Sequence, residues 1–364
     1  MNYYGTTVVR DVNIRGRTCK RFPIVATAGG EVLLEVMRYL ISCVAQGSAE
    51  SGLITYAAHL RDFHEQLRVD QMHVRGVTLD FLNRYKAAIK ERASAPYAGQ
   101  VLRTVLAYLH YLEGRGAICG VIGETDEYQV TITRTRSGGI SHNLAADSAS
   151  PKSNYVPSDK SVQTIKRFGP AGPVHRERFE LMLDWAHVKG LRAMELCGLT
   201  CAQIPSWPAI NAALSDDRTL ELRLLVTKGQ RERNVDVHPL LLSRTRKWIE
   251  ADRPKVNRAA RRRAEKAGRP YATTDALFQS STTGEAITPK ALSNMVRSAF
   301  KAAVASGELM EDQRVWTHGL RKVMVNREVK SRPRSERRPP ERAVMQQTGH
   351  GSLASLGHYV VDSQ

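Results

Sequence analysis

The stretch GLRAMELCGLT, residues 190–200, decides the fold of this chain more than any other. It follows FELMLDWAHVK, residues 179–189, and the apolar residues of the two stretches recur at helical spacing. We therefore predict one mostly apolar helix that runs through both. Arg192 and Glu195 lie three residues apart, so they share a face of that helix. Burying an arginine without a partner is costly, which favours a functional role for Arg192.

Further along the chain, polar residues occur at positions that a core pattern does not explain. Lys228 lies in TKGQRER, a turn between two strand-like runs that together predict a hairpin. His318 and Arg321 lie three residues apart in THGLRK. His350 and Tyr359 follow in TGHGSLASLGHYVVDSQ, nine residues apart.

Arginines, a lysine, histidines and a tyrosine together fit phosphoryl transfer. Two guanidiniums can grip the non-bridging oxygens of one phosphate and stabilise the charge that builds on phosphorus. A tyrosine with a pKa near 10 needs a histidine and a positive site before it attacks. A lysine can protonate the departing oxygen. No carboxylate cluster for Mg²⁺ accompanies these residues, so a metal-dependent nuclease is a weaker fit.

The ordered motifs resemble the tyrosine recombinase (phage integrase) family. They are G-L-R-x-x-E-L, the hairpin lysine in T-K-G-Q-R-E-R, H-x-L-R, and G-H with a tyrosine nine positions after that histidine. The match covers about residues 155–360, and TPKALSNMVRSAFKAA, residues 288–303, resembles the family's helix before the second arginine. The resemblance implies an enzyme that forms a phosphotyrosine bond and needs neither ATP nor a metal or other cofactor.

The resemblance also implies a role for each matching residue. Tyr359 would attack the scissile phosphate, which gives a 3′-phosphotyrosyl link and a free 5′-hydroxyl. Arg192 and Arg321 would clamp the phosphate, and His318 would assist proton transfer with the tyrosine. Glu195 would orient these groups, although a plain salt bridge to Arg192 is equally compatible with its position.

Two roles have rivals in the sequence. Lys228 would be the general acid, but Lys189 and Lys247 are other lysines nearby in sequence, and a hairpin lysine is by default solvated. His350 would hydrogen-bond a non-bridging oxygen. His358 is its rival, and the Gly-His context favours His350.

Upstream, four amphipathic helical patterns predict a small bundle over residues 31–117. Thr78 is a predicted N-cap, and the fourth pattern ends at Gly114. The bundle resembles the family's helical, SAM-like core-binding domain. Basic side chains on exposed faces predict DNA contacts in both domains, at Arg61, Lys90, Arg103, Arg231, Arg233 and Arg261.

The remaining stretches complete the predicted organisation. Residues 1–30 predict an irregular arm or a short hairpin, and residues 118–154 a linker rich in Ser, Gly, Asn and Pro. Residues 155–364 would form an α+β catalytic domain. The basic run 258–269 predicts a disordered, solvated loop that touches phosphates at most. The fold class is thus mainly α with a small β-sheet in the C-terminal domain, and the two domains would form a C-shaped clamp on DNA.

Composition agrees with a DNA-binding protein. The 364 residues carry a net charge of +18 and a pI near 9.9, which favours polyanionic partners. The five cysteines have no ligand spacing typical of zinc. The N-terminus lacks the apolar region of a signal peptide, and no stretch is apolar enough to span a bilayer. We expect a soluble cytoplasmic protein of bacterial or phage type, associated with the nucleoid.

The predicted function is site-specific DNA recombination, as integration or excision of a mobile element. The resemblance implies a dimer on each double-stranded site and a tetramer in each synapse, and an accessory DNA-bending protein is a further candidate partner. Alternatives are a DNA-binding relative that no longer cuts, or a strand transferase like type IB topoisomerases and telomere resolvases. A Pro/Arg-rich insertion at 331–340 departs from the family pattern, either as a loop over DNA or as a change in the geometry of the site. Five residues follow Tyr359, fewer than in many family members, which leaves the mode of coupling between protomers open.

Overall fold

A computed structural model of the chain describes residues 3–135, 139–145, 155–225, 232–331, 344, 345 and 348. Lys228, Arg231, His350 and Tyr359 lie outside the described residues. The chain forms two compact units, Met1–Lys152 and Ser153–Gln364.

The first unit begins with a long antiparallel hairpin. Strands β1 (Tyr4–Ile14) and β2 (Arg17–Thr27) pair along their length. The turn between them holds only Arg15 and Gly16, whose φ angles of 51° and 82° are both positive, as two-residue hairpin turns that follow the strand twist require. The structure therefore has two 11-residue strands where the sequence predicted an irregular arm or a short hairpin.

Four helices follow the hairpin, as the sequence predicted. They are α1 (Leu34–Ala45), α2 (Glu50–Val69), α3 (Leu79–Arg92) and α4 (Ala95–Gly114). The Thr78 side chain accepts a hydrogen bond from the Phe81 backbone N–H at 3.2 Å, which confirms the predicted N-cap of α3. The predicted end of α4 at Gly114 is confirmed as well. Each helix turns its apolar face into one shared core.

Both stretches that flank the helices also bury side chains in that core. Phe22 and Val25 come from the hairpin, and Ile122 and Val130 come from the short strands after α4. Those strands are β3 (Ile122–Gly123), β4 (Val130–Thr131), β5 (Thr133–Arg134) and β6 (Ile140–Ser141). The predicted arm and part of the predicted linker thus belong to one compact unit with the helices, because their apolar side chains complete its core.

Among its described residues, the second unit is mainly helical and contains one named strand pair. Its helices are α5 (Asp159–Arg167), α6 (Pro173–Lys189), α7 (Ala193–Cys197), α8 (Trp207–Ser215), α9 (Pro239–Lys247), α10 (Arg253–Lys266), α11 (Pro289–Ala305) and α12 (Thr317–Ser331). Strands β7 (Leu220–Leu224) and β8 (Arg233–Val237) are antiparallel, which confirms the predicted strand pair. Trp185 and Trp248 are fully buried in the core of this unit.

The prediction of one continuous helix through residues 179–200 is wrong. Helix α6 ends at Lys189, and Gly190 adopts the left-handed conformation with φ 59° that commonly ends helices. Arg192 is extended, with φ −65° and ψ 150°, and it precedes the short helix α7. The apolar spacing continues across the break because both helices pack on the same core, so periodicity alone could not show the break.

The prediction of a disordered loop at 258–269 is also wrong. Residues 253–266 form α10, which buries Val256, Ala260 and Ala264 on one face. These residues recur every four positions, the spacing of a narrow helical stripe. Two of the three are alanines among many arginines, so the stripe is easily missed.

Candidate active site

Glu195 is the centre of an ion-pair cluster in the second unit. Its side chain is fully buried, and Oε2 accepts the backbone N–H of Arg192 at 2.8 Å. Arg192 Nη1 donates to Oε1 of the same carboxylate at 2.9 Å. The Arg192 side chain is about a fifth exposed, at 20%. The carboxylate therefore holds this partly exposed arginine at the break between α6 and α7.

A second arginine completes the cluster from the strand pair. Arg233, the first residue of β8, donates through Nη2 to Glu195 Oε2 at 2.8 Å, and its side chain is only 10% exposed. The sequence predicted a DNA contact for Arg233, whereas the structure places it against Glu195. Strand alternation signals this position, because Arg233 shares its face of β8 with buried Val235 and Val237.

The environment of Glu195 favours its ionised form. Burial raises the pKa of this carboxyl, but the hydrogen bond and charge of Arg233, together with the backbone N–H and charge of Arg192, outweigh burial and lower the pKa below its ordinary value. The carboxylate is thus charged at neutral pH and is shared by two guanidiniums.

Arg321 joins two other segments of the predicted site. Its side chain is 0% exposed. Nη1 donates to the backbone carbonyl of Gly190 at 2.7 Å, and Nη2 donates to that of Thr348. Gly190 lies two residues before Arg192, and Thr348 lies two residues before His350. One buried guanidinium thus connects α12 to the chain segments that carry two other predicted site residues.

His318 lies in the first turn of α12 and is exposed. The start of that helix is well supported: Thr317 Oγ1 lies 2.9 Å from Ser293 Oγ of α11, and Trp316 stacks on Tyr155 with ring centroids 6.1 Å apart. The structure therefore brings His318 to the surface one helical turn before Arg321.

Contacts near the middle of α12 hold it against the rest of the unit. Arg327 Nη2 donates to Asp159 Oδ1 at 2.8 Å, and the same oxygen lies 2.7 Å from Nε2 of His187. Asp159 begins α5, and His187 lies near the end of α6. These contacts join three helices and support the orientation of α12, which carries His318 and Arg321.

Of the three lysines that the sequence put forward, two lie in described residues. Lys189 ends α6 and is partly buried; burial lowers its pKa, while the charges of Glu328 and Asp236 act in the opposite direction. Lys247 ends α9 and is exposed. Lys228 lies outside the described residues, so its assignment as the general acid in place of Lys189 or Lys247 stays a prediction.

The other predicted DNA contacts vary in their surroundings. Arg61 pairs with Asp62 at 2.7 Å, and Arg103 donates to the Ala145 carbonyl at 3.3 Å. The Arg261 guanidinium lies 5.8 Å from the centre of the Tyr271 ring. Lys90 is exposed at the end of α3. Their contacts with DNA stay predictions.

Neither a candidate metal site nor a membrane-spanning helix occurs among the described residues. No group of three or more His, Cys, Asp or Glu side chains in this part of the chain is placed to hold a metal ion. Likewise, none of the described helices is both long and apolar enough to cross a membrane.

Solved structures resemble the chain over most of its length. The Tn1549 transposon integrase in complex with circular intermediate DNA matches with a TM-score of 0.57 at 15% identity, over 91% of this chain and 96% of that one. A lambda integrase dimer bound to a COC′ core site matches with a TM-score of 0.58 at 16% identity, over 90% and 95%. The XerH site-specific recombinase bound to difH substrate matches with a TM-score of 0.55 at 15% identity, over 89% and 80%.

The chain has the tyrosine recombinase fold. The predicted resemblance and the predicted fold class are confirmed by these structures. No protein-family model and no curated protein sequence matches the chain. The recombinase fold was therefore recognisable in the sequence only through a few spaced motifs.

Gly190 ends α6 in the left-handed conformation, and its carbonyl accepts the hydrogen bond from Arg321. We expect Gly190→Ala to lower the free energy of unfolding of the second unit by about 1–2 kcal/mol, the typical cost of a left-handed φ for a residue with a Cβ. The new Cβ would also collide with the end of the Met324 side chain.

Tryptophan fluorescence measures this effect selectively, because all four tryptophans lie in the second unit. Gly268→Ala is the matched control: its φ is also positive at 61°, but nothing lies within 4 Å of the position that its new Cβ would occupy. A larger loss for Gly268→Ala than for Gly190→Ala would contradict the importance of the Gly190 junction.

Proposed function

We propose that the protein is a site-specific DNA recombinase that cuts and rejoins DNA through a 3′-phosphotyrosyl intermediate. The observation that carries the proposal is the connection made by Arg321, whose guanidinium joins the segment before Arg192 to the segment before His350. In a chain with the tyrosine recombinase fold, this contact between Arg321, Gly190 and Thr348 supports a site assembled from three motifs that are far apart in sequence.

The proposed reaction begins with Tyr359. Its oxygen attacks the scissile phosphorus, the bond from phosphorus to the 5′-oxygen breaks, and the tyrosine proton leaves with help from His318. Lys228 donates a proton to the departing 5′-oxygen. The energy of the broken bond is retained in the phosphotyrosine, so rejoining requires no ATP, and no step requires a metal ion.

Charge on the phosphate is stabilised by Arg192, Arg321 and His350 in this proposal. Arg192 is partly exposed and is oriented by Glu195, as such a role requires. The Arg321 guanidinium is fully buried, so its contact with a phosphate requires a local rearrangement around it. Arg233 would act through Glu195 as a positioning residue.

The proposed partner is double-stranded DNA, bound by two protomers at each site and four in a synapse. The similar solved structures include a lambda integrase dimer on a core site and a lambda integrase tetramer on a Holliday junction. Within this proposal the biological role is integration or excision of a mobile element, helped by an accessory DNA-bending protein.

The decisive test is a covalent adduct. Nicked duplexes made from the DNA that borders the gene are mixed with the protein in EDTA, and a denaturing gel is expected to show a protein–DNA band. Tyr359→Phe should abolish the band, because phenylalanine has no oxygen to attack phosphorus. Tyr271→Phe is the control: this tyrosine of the second unit donates to Asn257 at 3.1 Å and should be dispensable for the adduct.

Two outcomes would contradict the proposal. One is an adduct that survives Tyr359→Phe. The other is a wild-type protein that binds these duplexes but forms no adduct, which would favour a DNA-binding relative that no longer cuts.

A further inference from the structure

The hairpin of the first unit is rich in positive charge. Residues 4–27 contain five arginines and lysines and a single carboxylate, that of Asp11. Four of the cations, which we call the cationic hairpin face, are exposed: Arg10, Arg15, Lys20 and Arg21. No hydrogen bond or ion pair is found for these four side chains among the residues that the structure describes.

Two of these arginines lie where they repel each other. Arg10 and Arg21 are direct partners in the register of β1 and β2. Like charges directly opposite one another on a strand pair destabilise it. The nearby Asp11 adopts φ 52°, and the register shows no pairing between Asp11 and Lys20. The hairpin thus retains a repulsive pair that no carboxylate in the described structure offsets through an ion pair.

The helices of the same unit follow a different pattern. Arg38 pairs with Glu35, Arg68 with Glu65, and Arg84 with Asp80, each three or four residues away on its own helix. These three exposed arginines have carboxylate partners on their own helices, whereas the arginines of the cationic hairpin face have none among the described residues. A surface that keeps its cations uncompensated at a cost in stability fits an anionic ligand.

The hairpin is also firmly attached to the unit, so these charges are held in place. Its own residues Phe22 and Val25 are buried in the core that the hairpin shares with the helices. Arg17 Nη1 donates to the Val44 carbonyl at 3.2 Å near the hairpin tip, and Glu65 of α2 accepts the backbone N–H of Tyr4 at 3.3 Å at the other end. Charges on a fixed strand pair lose less entropy on binding than charges on a free arm.

We propose that the cationic hairpin face binds the phosphate backbone of duplex DNA. The proposal rests on the proposed function, because the duplex is the one that carries the recombination site. Arg10 lies on β1 and Arg15 lies five residues further on, in the turn, so their backbones are at most about 17 Å apart at about 3.3 Å per residue. Phosphates of one DNA strand recur about every 3.4 Å along the helix axis, so the face spans at most about five of them. Such a contact depends on the charge of the phosphates and not on the base sequence of the DNA.

The experiment measures how DNA affinity depends on salt. A triple variant, Arg10→Gln with Lys20→Gln and Arg21→Gln, is compared with the wild-type protein on a fluorescent duplex of arbitrary sequence. Each lost phosphate contact reduces the slope of log K against log salt by about 0.9, so the triple variant should lose about 2.7. The ratio of the wild-type DNA-binding constant to that of the triple variant should then fall about 40-fold as salt rises from about 50 to about 200 mM.

Charge-matched controls separate a local contact from the field of the whole protein. Arg167, Arg218 and Lys255 are exposed and pair with carboxylates of the second unit, so their replacement by glutamine should leave the slope near the wild-type value. Arg10→Lys with Arg21→Lys keeps the charge and should do the same. An unchanged slope in the hairpin triple variant, or an equal loss in the control triple variant, would overturn the proposal.

Folding and catalysis are monitored separately. Circular dichroism should show a thermal midpoint for the hairpin variant no lower than that of the wild-type protein, because the substitutions remove a repulsive pair. If the triple variant does not fold, the single substitution Arg21→Gln still predicts a slope change of about 0.9. At saturating protein the hairpin variant should form the Tyr359 adduct. Absence of that adduct from the wild-type protein as well would count against the recombinase function, while the salt slope would still decide the hairpin contact.

Discussion

Arg321→Lys is expected to reduce the rate of covalent adduct formation by about 10³-fold or more, the range found for arginines that stabilise phosphoryl-transfer transition states. The planar guanidinium reaches two backbone carbonyls at once, those of Gly190 and Thr348. A lysine ammonium is a compact point charge that cannot reproduce this fork. The measurement is single-turnover adduct formation on a nicked duplex.

A matched control lies on the same helix. Arg327 is partly exposed and pairs with Asp159, so Arg327→Lys should retain adduct formation within about tenfold, as expected for a surface ion pair. Tryptophan fluorescence should establish that both variants are folded at the assay temperature. If folded Arg321→Lys cleaves at nearly the wild-type rate, Arg321 has neither the clamping nor the bridging role proposed.

Glu195→Gln should lower the free energy of unfolding of the second unit by about 3 kcal/mol at neutral pH. Removing one partner of a buried ion pair typically costs about 3–5 kcal/mol, and glutamine retains part of the hydrogen bonding. Arg192 and Arg233 would both lose the carboxylate that they share. Denaturant unfolding followed by tryptophan fluorescence reports on this unit alone, because it contains all four tryptophans.

The same variant gives a test against pH. The folded-state pKa of Glu195 lies below its ordinary value of 4.5, so the stability that the carboxylate contributes is present above that value and is lost as pH falls through the folded pKa. The difference in the free energy of unfolding between the wild-type protein and Glu195→Gln should be constant from neutral pH down to about pH 5. It should become smaller below about pH 4.5.

Glu308→Gln is the comparison for Glu195→Gln. Glu308 forms an exposed pair with Arg167, and such pairs contribute at most about 1 kcal/mol. Two results would show that the buried cluster does not stabilise the unit as proposed. One is an equal loss of unfolding free energy in the two variants. The other is a stability difference between the wild-type protein and Glu195→Gln that increases as the pH falls.

Helical periodicity predicted the first bundle well because each of its helices buries one broad apolar face in a single core. Thr78 could be predicted as a cap because its role depends only on neighbours in sequence. The hairpin was harder to predict. The positive φ of Asp11 interrupts the regular pairing of the strands and, with it, the alternation of buried and exposed residues on which strand prediction relies.

In the candidate site, the sequence indicated Arg192, Glu195 and Arg321 through motif spacing. It could not show that Gly190 separates two helices, since an isolated glycine inside a helical pattern is compatible with a continuous helix. Nor could it show that Arg233 turns inward toward Glu195, because that contact joins residues 38 positions apart. Contacts between distant segments depend on tertiary packing, which periodicity does not encode.

The bonds of Arg321 have a consequence for how this fold tolerates divergence. Both of its acceptors are main-chain oxygens, so the contact depends on the path of the backbone and not on which side chain occupies position 348. A substitution there preserves the acceptor as long as the chain follows the same course, and no compensating change at a partner residue is needed. Connections of this kind can persist while most side chains change, which suits a fold that is recognisable at about 15% identity.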